Sequence, residues 1–234
     1  METVSNPIQA CNDVFFRPRA VFATLKERNN WSWIPFALVV MMALLPSYMY
    51  YQFVDFSWFT DMLIAKDYAE VSPAEQDQVR NYMTPGVMTF NVLVFGFLGI
   101  VVINAIMAIY LNVTSKMDDD CVMGFTDWYG FCWWAGMPTL IGGLISLLLI
   151  ALASDHQLSP AYLSPLSLAF IAGVDFSSEW FNLLSAMRLE NVWSMYLIAV
   201  GVCQWTKLPS NKAWIIAIAP YLIIWGLMAV FVVV

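Results

Sequence analysis

Apolar residues in this chain come in uncharged blocks too long for a water-soluble fold. Trp31 to Phe53 is one; Val87 to Val113 is the next, with amides at Asn91, Asn104 and Asn112; Trp128 to Ala153 is a third. At a rise of ~1.5 Å per residue, about 20 residues cross the hydrocarbon core of a bilayer. Each of these blocks is therefore a predicted span. A fourth runs from about Val192 to Trp205 and has to enter the membrane earlier to cross it. The fifth runs from about Lys212 to Val234. A short basic turn joins these two into a membrane hairpin. The pattern predicts an all-α polytopic bundle of about five transmembrane helices.

The stretches between the spans are patterned too. In residues 54–83, Phe56, Trp58, Phe59, Met62 and Leu63 predict a helix lying on the membrane surface. Ser72-Pro73-Ala74-Glu75 then reads as a capping box with proline at the first helical position, opening a short helix to about Met83. Tyr162 to Gly173 is apolar but too short to span and contains Pro165, which fits a re-entrant or interfacial segment. Asp175 to Met187 predicts a second surface-lying helix. Residues 1–30 form a lead-in to the membrane domain of residues 31–234. Asn6-Pro7 predicts a helix start, and Pro18 breaks that helix or starts another. Val21, Phe22 and Leu25 share a face, which suits either a helix on an anionic leaflet or one packed under the bundle.

Composition supports the membrane reading. The 234 residues are 61% hydrophobic and only 12% charged, with a mean hydropathy of +0.69; soluble domains carry about twice that share of charge. The net charge of −7, with no dense basic run, excludes nucleic acid as a natural partner. Cys11, Cys121, Cys132 and Cys203 have no metal-ligand spacing and His156 is the one histidine, so neither a metal nor another cofactor is expected.

Charge also sets an orientation. Arg17, Arg19, Lys26, Arg28, Lys116, Lys207 and Lys212 fall on one side of the predicted spans, with Lys66, Arg80 and Arg188 on the other. Positive residues stay inside, which places the N-terminus in the cytoplasm and the C-terminus outside.

Chemistry is sparse. Asn104 lies well inside an apolar span, where an amide needs a partner and is expected to face the bundle. Asp127 stands where a span begins and suits a helix cap. Gly136-Met137-Pro138 is a place for a helix to bend or unwind. Asn104, Asp127, Tyr129 and Pro138 are the candidate residues for a cavity between the second and third spans, or for a partner-facing surface. The run Asp118-Asp119-Asp120 suits a solvated loop better than a cation site. No predicted span holds a charged residue at mid-depth, which argues against transport coupled to a buried carboxylate and against intramembrane aspartyl catalysis.

Three places resemble the bacterial branch of the Yip family of membrane proteins, called Ypt/Rab-interacting in eukaryotes. They are Asn6-Pro7 with Phe16-Arg17-Pro18-Arg19-Ala20-Val21-Phe22, then Trp193-Ser194-Met195-Tyr196-Leu197 with Gly201, and Lys212-Ala213 at the last span. Eukaryotic members engage small GTPases through an Asp-Leu-Tyr-Gly-Pro motif. Here the matching stretch is Asp127-Trp128-Tyr129-Gly130-Phe131, with tryptophan for leucine and no proline, so the resemblance does not extend to a GTPase partner. It implies a polytopic inner-membrane protein without enzymatic activity. Its expected contacts are the lipid bilayer and a membrane-protein partner or second copy. The expected role is that of a scaffold or interaction protein, with transport of a small molecule or lipid as the alternative.

Overall fold

The computed structural model describes residues 4–233, and the chain is an all-α bundle. Its first two helices, α1 (Pro7–Phe16) and α2 (Pro18–Leu25), form a hairpin. Asn6 caps α1 by accepting from the Gln9 amide, and Pro18 starts α2. The Val4 amide reaches the Thr24 hydroxyl, bringing the two ends of the hairpin together. Ala10, Val14, Val21, Phe22 and Leu25 are buried in the main core, which decides between the two expectations for the lead-in: it packs into the bundle. The Trp205 indole N–H donates to the Phe22 carbonyl at 2.8 Å, and the Phe15 ring meets Trp193 at 5.6 Å.

The first span is α3 (Trp33–Phe53), with Pro46 inside it. Beyond it lie α4 (Phe56–Asp67) and α5 (Pro73–Tyr82). Ser72 and Glu75 form the expected capping box, and an ion pair from Arg80 to Asp61 ties α5 to α4. On α4, Lys66 Nζ sits 4.1 Å from the Phe176 ring centroid, holding this layer to the loop after the third span.

The second span is one continuous helix, Pro85–Ser115. It comprises α6 (Pro85–Asn91), a wider π turn at Val92–Gly96, and α7 (Phe97–Ser115). The third span is bent by 41° at Gly136-Met137-Pro138, between α8 (Phe125–Ala135) and α9 (Thr139–Ala151).

Residues 154–188 depart from the expectation of surface helices. Only α10 (Leu168–Ile171) and α11 (Phe181–Ala186) are helical apart from a 3-10 turn at Pro160–Leu163, and the second predicted surface helix shrinks to six residues. The segment tucks into the bundle. Tyr50 Oη donates to the Leu158 carbonyl at 2.6 Å, Ser146 Oγ to the Tyr162 carbonyl at 2.7 Å, and the Trp225 indole to the Ala186 carbonyl at 3.3 Å. Two backbone bonds, Leu168 N–H to the Met187 carbonyl and Leu189 N–H to the Leu166 carbonyl, pair its strands of loop. Irregular backbone survives at membrane depth only when its polar groups are satisfied in this way.

The chain ends with α12 (Leu189–Trp205) and α13 (Ser210–Val233), the predicted membrane hairpin. By length and apolarity α3, Pro85–Ser115 and α13 are each able to cross a membrane, and the bent α8–α9 pair makes a fourth. The 17-residue α12 is shorter than these. At the other end of the bundle Asp118 and Asp120 have a structural task. Asp118 Oδ2 accepts from the Lys207 amide at 2.8 Å, and Asp120 Oδ2 pairs with Lys207 Nζ at 2.5 Å, stapling the α7–α8 loop to the α12–α13 turn.

Candidate functional site

A cavity of about 460 Å³ lies among α3, α7, α9, α12 and α13. Its wall is largely aliphatic, with Val39, Ala43, Ile100, Met107 and Ile198. Ile103 on α7 and Ile224 on α13 also line it, yet they are 65% and 53% exposed. The cavity is therefore open sideways between these two helices, toward the region lipid tails occupy. The Tyr110 hydroxyl, donating to the Ile216 carbonyl at 3.0 Å, ties α7 to α13 at one end of that gap.

The start of α12 contributes Arg188, Glu190, Asn191 and Ser194 to the polar part of the wall, beside Ser47, Asn104, Thr139 and Ser164 from other segments. Glu190 is 5% exposed. A carboxylate in the first turn of a helix is favoured by the helix dipole, and Arg188 Nη1 lies 3.5 Å from Glu190 Oε1. The other oxygen, Oε2, is buried and has no hydrogen-bond partner. Asn191 is spent on the chain itself, donating to the Ala186 carbonyl at 2.9 Å.

Neighbouring contacts fix the depth of this carboxylate. A Cβ at Gly142 would stand 2.8 Å from Glu190 Oε1, and one at the adjacent Gly143 would stand 2.7 Å from the backbone oxygen of Met42. Met42 is at the middle of α3, so the Glu190 carboxylate lies about level with the middle of that span. This overturns the expectation that no acidic group lies there. Glu190 stands two residues before the charge-free run starting at Val192, so the pattern leaves it at the edge of the fourth span rather than within it. The shortness of that run was the available signal, since a helix extended back to gain length must take Glu190 in with it.

The predicted site residues separate. Asn104 lines the large cavity, half-buried, with its amide donating to the Ile100 carbonyl of its own helix at 3.1 Å. Asp127 lines a different, smaller cavity with Arg28 and Ser32, and its Oδ2 accepts from the Gly124 amide at 2.8 Å as a cap for α8. Tyr129 packs between the rings of Phe125 and Trp133. Pro138 stands at the bend, directly before α9. The cavity draws on the second and third spans as expected, but α3, α12 and α13 close it.

Parts of the stretches that resemble the family pattern meet in the core. Gly201 lies directly beneath the Phe131 ring, which also packs on Phe22 at 4.8 Å between centroids. Trp128 is fully buried. The Yip1 domain family matches residues 12–233, nearly the whole chain. The chain belongs to the Yip1 domain family. Comparison with curated proteins and with solved structures returns no match. The Yip1 match and the long apolar helices together make this an integral membrane protein. Within its Yip1 domain, Asp127 to Phe131 lies in the first turns of α8, with Trp128 and Phe131 buried.

Proposed function

We propose that this Yip1-domain protein binds a membrane lipid in its intramembrane cavity and has no catalytic activity of its own. The observation that carries the proposal is the lateral opening between α7 and α13, leading to a mid-depth carboxylate with an unpaired oxygen. A buried ionisable group inside a membrane bundle is costly and marks function by default. The aliphatic wall suits an acyl chain, and the opening faces hydrocarbon rather than water. The protein belongs to a bacterial cytoplasmic membrane in this reading, as a multi-pass protein with its N-terminus inside. The distribution of Lys and Arg supports that orientation.

Native mass spectrometry of the full chain released from detergent tests the binding. The wild type is expected to retain lipid, and Ala43→Trp, which fills the cavity from α3, is expected to lose it. A wild type that flies without lipid refutes the proposal.

A second reading, docking of a membrane-protein partner, is favoured by α5. This helix is fully capped yet buries none of its residues. A photo-crosslinking residue at Gln78 is expected to yield one discrete adduct with a protein partner in intact membranes; a ladder of random products speaks against docking.

A further inference from the structure

The lipid reading leaves the headgroup open, and resting on that reading, we infer that the cavity selects a zwitterionic lipid carrying a primary ammonium and a phosphate. The two charged side chains at the start of α12 are unequally used. Arg188 meets Glu190 through Nη1 and Oε1 at 3.5 Å, leaving the rest of its guanidinium fork free. The Arg188 side chain is 37% exposed, whereas that of Glu190 is 4% exposed. Glu190 Oε2 is enclosed and lacks any donor.

A buried carboxylate oxygen without a donor carries the full cost of its lost hydration. A ligand satisfies it best with a charged N–H donor, because charge-assisted hydrogen bonds are the strong ones. The free edge of the Arg188 guanidinium suits a phosphate, which it can grip in bidentate fashion. The two demands lie two residues apart on the chain, in the wall of one largely aliphatic cavity. An aminophospholipid headgroup meets both at once and leaves its tail for Ile100, Ile103 and Ile224. A choline headgroup offers the same phosphate but has no N–H. A glycerol headgroup offers only neutral hydroxyls to Oε2. A water-soluble phosphoamine has the right groups but no tail for the aliphatic wall.

Competition on the full wild-type chain tests this. Detergent-purified protein is exposed to equal amounts of phosphatidylethanolamine, phosphatidylglycerol and phosphatidylcholine of the same acyl chains, and bound lipid is read by native mass spectrometry. Phosphatidylethanolamine is expected to be enriched about tenfold over phosphatidylcholine, the size of one charge-assisted hydrogen bond. Glu190→Gln is expected to bring the two toward parity, and Arg188→Gln to lower occupancy by all three lipids alike. Free phosphoethanolamine in excess is expected to compete poorly. Equal occupancy by the three lipids overturns the headgroup assignment while leaving the lipid cavity standing. An absence of any bound lipid removes the cavity reading and the assignment together. The wild-type ranking needs no variant, so a misfolding substitution does not blunt the test.

Discussion

Gly142 faces Glu190 so closely that a Cβ added there would stand 2.8 Å from the carboxylate oxygen Oε1. The obstacle is the far end of a side chain, which can swing away. At Gly143 the obstacle is the Met42 backbone oxygen at 2.7 Å, which moves only with α3. The two alanine variants are therefore expected to fail differently. Gly142→Ala should displace the carboxylate and change lipid occupancy, with under about 1 kcal/mol lost in stability. Gly143→Ala should part α3 from α9 and cost roughly 1–3 kcal/mol. Thermal unfolding in detergent, read beside native mass spectrometry, separates the two.

Gly201 offers a harsher version of the same contact. A Cβ there would fall 2.0 Å from Phe131 Cε2, inside a buried ring packed between Phe22 and Trp205. Gly201→Ala is expected to be among the most damaging single-methyl additions in the chain, costing about 3 kcal/mol or more. Phe131→Leu removes the ring edge that the methyl strikes. The double variant should therefore be more stable than the sum of the two single losses, by about 1 kcal/mol or more of coupling. Strict additivity between the two sites means that Phe131 is not what excludes the methyl group.

Those glycines show where the sequence was readable. Long uncharged runs gave the spans, because hydrocarbon tolerates little else, and Ser72 with Glu75 gave a capped helix, because that motif is local. The Asn6-Pro7 start and the bend at Pro138 were legible for the same reason. The burial of Glu190 was not legible, because it depends on the long segment 152–188 folding inward ahead of α12. Periodicity cannot report which side of a boundary a charged residue falls on when the boundary itself lies inside the protein. Asp127 was legible as a helix cap, and its carboxylate accepts from the Gly124 amide as that pattern expects. The small cavity it also borders was not legible, because that cavity depends on Arg28 and Ser32 from elsewhere in the chain. Of the residues in the stretches that match the family pattern, Phe22 and Gly201 serve helix packing against Phe131, whereas Ser194 lines the cavity.

The staple at Asp118 gives a pH prediction. The Lys207 amide bonded to Asp118, helped by the Asp120 amide and by the charges of Lys207 and Lys26, holds the Asp118 carboxyl below its ordinary value of 3.8. A carboxyl whose folded pKa is depressed adds stability that is present above its unfolded pKa and is lost as pH falls through the folded one. Asp118→Asn is therefore expected to lower the thermal midpoint at neutral pH. The gap to wild type should stay constant down to about pH 4 and close below it. A gap that persists unchanged at the lowest pH the protein tolerates would show that the carboxylate charge contributes nothing to the staple.

The end of the bundle that carries Lys116 and Lys207 is expected to face the cytoplasm. Asp119, in the stapled loop, and Ala74, on the capped α5, are both exposed and lie beyond opposite ends of the second span. Cys121 is buried and is no use as a probe of either side. In a chain with its four cysteines replaced by serine or alanine, a single thiol at residue 74 is expected to react with a membrane-impermeant maleimide in intact cells. A thiol at residue 119 should react only after the membrane is opened. The expectation follows from the basic residues, since Lys116 and Lys207 flank the Asp119 loop while the α4–α5 layer holds only Lys66 and Arg80 against several acids. The reverse labelling pattern inverts the protein in its membrane and breaks the charge argument, yet leaves every packing contact in place. Labelling of both thiols in intact cells removes the span between them, and with it the lateral opening beside α7.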